Sequence, residues 1–220
     1  MGVAMLCKAK QSLYCRYFKR LLDIVFSAMA LIILSPLLLT IAVLIKRHYG
    51  SPVIFKQERP GLDGKIFTLY KFRTMTDRCD RRGRLLPDKI RITRFGRFLR
   101  NNSLDELPEL INILKGEMSL VGPRPLLVQY LSLYNDFERR RHEVKPGLSG
   151  LAQVSGRNAL SWSEKFRYDV YYVDNLSLMG DLRIIMITVK KLLLRKWLNQ
   201  SEIKCMEIFT GTKRRDDNGK

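Results

Sequence analysis

Residues 21–45 read LLDIVFSAMALIILSPLLLTIAVLI, a run in which Asp23 carries the only charge. An apolar helix of this length covers a hydrocarbon layer of about 30 Å. The run is too long for the core of a signal peptide, and no small-residue cleavage site follows it. It is therefore expected to remain in the mature protein. Ser35-Pro36 lies past its middle. Pro36 has no amide to donate and its ring meets the carbonyl of Ile32, which predicts a kink. The Ser35 hydroxyl can serve a freed carbonyl, and that makes a kink tolerable in lipid. Lys19-Arg20 stand before the run and Lys46-Arg47 after it. Basic flanks favour the cytosolic side, and here both ends are basic. Two readings fit this pattern: a re-entrant hairpin that enters and leaves one leaflet, and a kinked but complete span.

No other stretch of the 220 residues has this character. The length suits one compact domain with appendages. Lys and Arg number 40 against 21 Asp and Glu, a formal net charge of +19. Such a surplus implies a polyanionic partner, whether nucleic acid, an anionic membrane surface or a phosphorylated substrate. Cys7, Cys15, Cys79 and Cys205 form no CxxC pair and have no His at zinc spacing. Reduced thiols are expected, with neither a disulfide framework nor a zinc site.

The remainder predicts an α+β fold, mostly helical, with one short β-hairpin. Strands are expected over 53–57 and 66–72, joined by the Pro- and Gly-rich turn at 59–64. Residues 77–88 read as a charged loop. Residues 89–99 outline a basic amphipathic helix that Gly96 weakens. Helices follow over 103–114, 126–141, 162–173 and 182–198. A rigid Val-Gly-Pro-Arg-Pro loop spans 121–125, and a short extended piece is expected within 150–156. In the last helix Leu182, Ile185, Met186, Val189, Leu193 and Trp197 share one side. Such a helix either lies in the headgroup plane or packs on the core. The expected segments are a tail at 1–18, the membrane helix at 19–48, the main domain at 49–200 and a polar tail at 201–220.

Ser103-Leu104-Asp105-Glu106-Leu107-Pro108 is the segment most suited to chemistry. Ser103 with Glu106 fits a capping box, and Asp105 is an alternative cap ahead of Pro108. Either choice places Asp105 and Glu106 in the first turn of a helix, where free amides favour anions. An ionised carboxylate there can attack phosphorus. Its repulsion by a diphosphate needs cations: Arg side chains and Mg2+, a hard ion that prefers carboxylate and phosphate oxygens. Arg100, Arg124, Lys71 and Arg73 are the candidates. Each also reads as ordinary surface charge, and acidic residues at a helix start are common.

Three segments together tip the balance: KFRTM at 71–75, SLDELPELINILKGEMSLVGPRP at 103–125 and VKPGLSGLAQVSGRN at 144–158. They resemble the bacterial sugar transferase family, the small monotopic phosphoglycosyl transferases. The likeness runs from about residue 17 to 200 and is nearest to the short members that initiate protein N-glycosylation in Campylobacter-like bacteria. It implies a re-entrant helix turning at Ser35 and Pro36, with interfacial amphipathic helices around a cytosolic domain on the bacterial inner membrane. It implies a catalytic pair at Asp105 and Glu106. Asp105 would attack the sugar-bearing phosphate of a UDP-sugar and release UMP, and undecaprenyl phosphate would take the phosphosugar from the aspartyl intermediate. Glu106 would assist proton transfer or orient the acceptor. Mg2+ would sit near Asp105. Arg100 would correspond to the arginine five positions before the nucleophile, and Pro123, Arg124 and Pro125 to the Pro-Arg-Pro loop. Anionic lipid, diphosphate donor and phosphate acceptor would together account for the positive charge.

Two other classes compete. A membrane-tethered nucleic-acid binder explains the net charge but not the acidic pair, the Ser-Pro helix or the Pro-Arg-Pro loop, so no nucleic-acid partner is expected. A non-catalytic scaffold sits poorly with an intact Asp105-Glu106. The sequence names neither the sugar nor the oligomeric state.

Overall fold

The N-terminal apolar run forms one helix, α1, over Lys19–Tyr49, with Pro36 inside it. The computed structural model describes residues 14–156, 159–194 and 208–212. As the chemistry of Pro36 requires, the Ile32 carbonyl is served from elsewhere: Ser35 Oγ donates to it at 2.8 Å. The helix continues through the proline without a break in its assignment. One stripe at helical spacing packs inward, through Asp23, Ser27, Leu31, Leu38, Ile41 and Ile45. The opposite side keeps large apolar residues exposed, with Ile32 at 74% and Ile33 at 72%.

Both ends of α1 are tied to the body of the protein. Near its start Lys19 pairs with Asp181 at 2.5 Å and also donates to the Val121 carbonyl. Arg20 donates to the carbonyls of Ile113 and Leu114 at 2.5 and 2.8 Å. Asp23 accepts from Ser119 Oγ and the Leu120 amide. Near its end Ile41 and Ile45 share a core with Phe72 and Leu99.

The expected hairpin is present. β1, Ile54–Pro60, pairs antiparallel with β2, Ile66–Phe72, in a register from Ile54↔Phe72 to Pro60↔Ile66. The basic helix expected over 89–99 is divided into α2, Asp88–Arg91, and α3, Arg94–Asn101. Ile92 is extended, and Thr93 caps α3 by accepting from the Gly96 amide at 3.0 Å. Gly96 has a packing reason: a Cβ there would lie 1.9 Å from the Thr74 carbonyl oxygen.

The helix expected over 103–114 is also shorter, as a 3-10 turn at Leu104–Glu106 and then α4, Glu109–Lys115. β3, Ser119–Val121, was not anticipated. It pairs in parallel with β4, Gly147–Ser149. The backbones meet closely where a Cβ on Gly122 would stand 2.4 Å from the Lys145 oxygen. The extended piece therefore ends before 150, and Leu151–Ser155 is a short helix, α6.

Residues 126–141 do not make one helix. A 3-10 segment at Val128–Leu133 is followed by α5, Asp136–Arg139, and another 3-10 turn at Arg140–Glu143. Asn135 and Glu138 form a capping box that starts a new helix. Tyr130 and Tyr134 are held in an aromatic cluster with Phe166 and Phe209.

α7, Trp162–Asp174, starts from a Ser161–Glu164 capping box and ends one residue beyond the expected 173. α8, Leu178–Leu193, starts four residues before the expected 182 because Ser177 caps it. Its apolar residues divide between two faces. Ile184 is buried and Ile185 packs beside Val121, Val154 and Tyr172, whereas Leu182, Met186 and Val189 are exposed. Ile185 thus leaves the stripe to which the periodicity assigned it. The Leu193 side chain, Trp197, the rest of the helix expected to 198, and Cys7 and Cys205 in the tails lie outside the described residues.

Candidate active site

Asp105 and Glu106 are reached through a sharp change of direction. α3 lies against the backbone of Thr74, and Arg100 donates from Nε to Thr74 Oγ1 at 2.9 Å. Ser103 then adopts a left-handed conformation, φ 54°. Its side chain makes no capping hydrogen bond, and the position before α4 is held by Pro108 and not by Asp105. Neither Ser103 nor Asp105 therefore acts as the expected cap. A left-handed Ser103 turns the chain into a 3-10 turn, which presents Asp105 and Glu106 ahead of α4. Side-chain cations, more than the amides of a helix start, set the electrostatics here.

Glu106 is the anchored member of the pair. Arg124 Nη2 donates to its Oε1 at 2.5 Å and Lys71 Nζ to the same oxygen at 2.8 Å. Burial pushes this carboxyl up, but Arg124 and Lys71 outweigh it and hold Glu106 well below the usual carboxylate range. Lys71 also pairs with Glu109 at 3.1 Å. Glu109 is 3% exposed, and burial drives its carboxyl up to about 7, against the pull of Lys71. The sequence reading did not single out Glu109. Its signal was its place three residues after Glu106, where Pro108 opens a helix and returns it to the same side.

Asp105 contrasts with both neighbours. It is 9% exposed, and its carboxylate forms no hydrogen bond or ion pair among the described residues. Burial and then the Glu106 charge raise its pKa, opposed by Lys71, Arg100 and Arg124. Glu106 spends its lone pairs on two cations, while Asp105 keeps its own for whatever enters the cavity that it lines. That cavity has a volume of about 1320 Å³. The structure brings Lys71, Arg100, Asp105, Glu106, Arg124 and Pro125 together on its wall.

The other expected residues are placed as follows. Arg73 touches the cavity, but its guanidinium donates to the carbonyls of Tyr49, Ser51 and Met75 and to Asp77. It ties the end of α1 to the loop after β2, with little left for a ligand. Pro123 is buried, and its carbonyl accepts from the Gly147 amide at 3.0 Å. Arg141 donates to the Arg124 carbonyl at 2.7 Å and pairs with Asp169 at 2.8 Å, both members of that pair being buried. The Pro-Arg-Pro loop is thus braced from behind while Arg124 reaches forward to Glu106. Ser35 and Pro36 lie on the exposed part of α1, away from this wall.

Among the described residues no three His, Cys, Asp or Glu side chains are grouped to hold a metal ion. The chain offers instead the uncommitted carboxylate of Asp105 at the edge of a cavity rich in Arg and Lys. One protein carboxylate, with phosphate oxygens and water completing the shell, is a donor set that suits Mg2+.

A family model described as bacterial sugar transferase matches residues 14–195. The "Uncharacterized sugar transferase EpsL" of Bacillus subtilis is 53% identical over 194 residues, covering 88% of this chain and 96% of that protein. The UDP-glucose:undecaprenyl-phosphate glucose-1-phosphate transferase of Klebsiella pneumoniae is 46% identical over 185 residues, 79% of this chain and 40% of its own. The undecaprenyl-phosphate galactose phosphotransferase of Salmonella typhimurium is 42% identical over 197 residues, with shares of 82% and 41%. The chain therefore spans nearly all of the first relative and about two fifths of the other two. None of these names bears on nearness to the N-glycosylation initiators.

Proposed function

Because this chain belongs to the bacterial sugar transferase family, we propose that it transfers a sugar-1-phosphate from a UDP-sugar to undecaprenyl phosphate, giving a polyprenyl-diphosphate-sugar and UMP. The observation that carries this reading is the pairing of a free, cavity-lining Asp105 with a Glu106 anchored by Arg124 and Lys71.

Asp105 is the nucleophile in this scheme. A carboxylate oxygen bonds to the sugar-bearing phosphorus while the bond from that phosphorus to the bridging oxygen breaks. The electron pair leaves with UMP. An oxygen of the acceptor phosphate then attacks the same phosphorus, the Asp105 ester bond breaks, and the carboxylate returns. A phosphate acceptor is ionised at neutral pH and asks little of a general base. That agrees with Glu106, whose low proton affinity suits it to orienting Arg124 and Lys71 more than to carrying a proton. Arg100 and Arg124 face the charge of the diphosphate. Mg2+, held through Asp105, would offset the negative charge of donor and carboxylate.

The seating of α1 supports the re-entrant reading. A 31-residue helix is about 46 Å long. A helix crossing the bilayer could touch a one-sided domain at one end alone. Here Lys19, Arg20 and Asp23 at one end and Ile41 and Ile45 at the other engage one body. The exposed Ile32, Ile33 and Leu39 then dip into one leaflet, and the exposed Leu182 and Met186 of α8 add a second apolar surface. The domain faces the cytosol at the inner membrane, with the cavity at headgroup depth.

The test is UMP release by detergent-solubilised protein given Mg2+, undecaprenyl phosphate and a panel of UDP-sugars. Turnover that requires lipid and favours one donor supports the reading and names the sugar. Absence of UMP with every donor, from folded protein, overturns it.

A further inference from the structure

Five partly or fully buried arginines among the described residues line the cavity: Arg59, Arg73, Arg91, Arg124 and Arg141. Four of them have a carboxylate within ion-pair distance. Arg73 pairs with Asp77, Arg91 with Asp88, Arg124 with Glu106 and Arg141 with Asp169. Arg59, on β1, has none. Its Nη2 donates to the Gln57 side chain at 2.6 Å, and its Nη1 makes a long 3.4 Å contact with the Pro125 carbonyl. Its Nε is buried without a partner. A guanidinium carries five donors in a planar fork, so this one is under-used. Burial, together with the Arg124 charge beside it, lowers its proton affinity to about 10.

Burying a cation that has no carboxylate at ion-pair distance, and only the more distant charge of Glu109 to favour it, costs stability, and the location indicates what offsets it. The Pro125 contact puts Arg59 beside the Pro-Arg-Pro loop, whose Arg124 reaches the carboxylate next to Asp105. Two neighbouring guanidiniums, of which Glu106 pairs with Arg124 alone, form a position for an anion. The donor is a diphosphate. Its sugar-bearing phosphorus must lie at Asp105, so its nucleotide phosphate must lie elsewhere along the wall. When the phosphorus-to-bridging-oxygen bond breaks, the leaving UMP gains a negative charge on that phosphate.

We propose that Arg59 binds the nucleotide-side phosphate of the donor and stabilises the charge that develops on the departing UMP. The assignment rests on the transferase reading given above. It concerns a residue on the hairpin, remote in sequence from the Asp105 motif, and it gives the turn-proximal end of β1 a part in the chemistry.

The experiment measures UMP affinity by calorimetry, and donor and acceptor kinetics, for the full chain and for Arg59→Gln and Arg59→Lys. Thermal melts confirm that each variant is folded. Arg59→Gln is expected to weaken UMP binding and raise donor KM at least tenfold, with the KM for undecaprenyl phosphate unchanged. Arg59→Lys is expected to recover part of the loss. UMP affinity and donor KM within twofold of the parent in folded Arg59→Gln would overturn the assignment. Equal losses toward donor and acceptor, with no recovery by Lys, would overturn it too, since they describe a structural tie. A parent protein that releases no UMP from any donor instead defeats the transferase reading itself.

Discussion

Arg124 Nη2 sits 2.5 Å from Glu106 Oε1, so that a guanidinium from the Pro-Arg-Pro loop closes over a carboxylate of the 3-10 turn. The contact joins two segments separated by α4 and β3. It keeps Glu106 ionised and leaves the adjacent Asp105 without a competing partner. Arg124→Met is expected to lower turnover by about a hundredfold, the scale seen when one charge-stabilising donor is removed. It should also let the Glu106 carboxyl rise from its depressed value. Steady-state kinetics checks the first effect and the acid limb of the pH profile the second.

The role proposed for Asp105 comes with a cost in stability. Its folded pKa is raised, mainly by burial. The unfolded carboxyl releases its proton at the ordinary value while the folded one holds on longer, so stability falls as pH rises through that window. Asp105→Asn is expected to abolish turnover and yet raise the melting temperature by a few degrees at pH 7.5. The gain should vanish near pH 3, where both states are protonated. Calorimetric melts at the two pH values test this.

His142 works in the opposite sense. It is buried, its Nδ1 is 3.0 Å from the Gly61 carbonyl oxygen, and burial followed by the Arg141 charge lowers its pKa from 6.5 to about 4. Unfolded chains take up this proton near pH 6.5 and the folded protein only near pH 4, so stability is lost as pH falls between those values. Relative to His142→Asn, which keeps a donor toward Gly61, the parent should lose about 3 kcal/mol over that interval, from the size of the shift. Denaturant titrations at pH 7 and pH 4 measure the difference.

The seating of α1 predicts a labelling pattern. In a background with the four cysteines replaced by serine, Phe18→Cys and Ser51→Cys flank the helix. A re-entrant helix leaves both open to an impermeant thiol reagent from the cytosolic side and neither from the outside. Labelling of one from each side would show a span.

Much of this was legible in the sequence, and the misses share a cause. The hairpin follows from alternation around a Pro-Gly turn, and the service of Ile32 by Ser35 follows from proline's missing amide. Local chemistry decides those features. The basic helix failed at Ile92 because the Thr93 cap competes with periodicity, and the helix expected over 126–141 failed because Asn135 and Glu138 start a new one. The parallel β3–β4 pair depends on a meeting of Gly122 and Gly147 that no local pattern announces. In the site, Asp105, Glu106 and Arg124 do come together. Arg73 is committed to carbonyls at the end of α1, contacts that exist only once the chain is folded. Glu109 was hidden because its burial is a tertiary fact.

The central claim is that Asp105 carries the phosphosugar. It is tested most directly by incubating the protein with Mg2+ and a UDP-sugar labelled at the sugar-bearing phosphate, without acceptor. The account predicts one equivalent of UMP and one label retained per chain, mapped by mass spectrometry to Asp105 and discharged when undecaprenyl phosphate is added. Turnover with lipid but no protein-bound label at any time before acceptor addition, or the same label on Asp105→Asn, would contradict it.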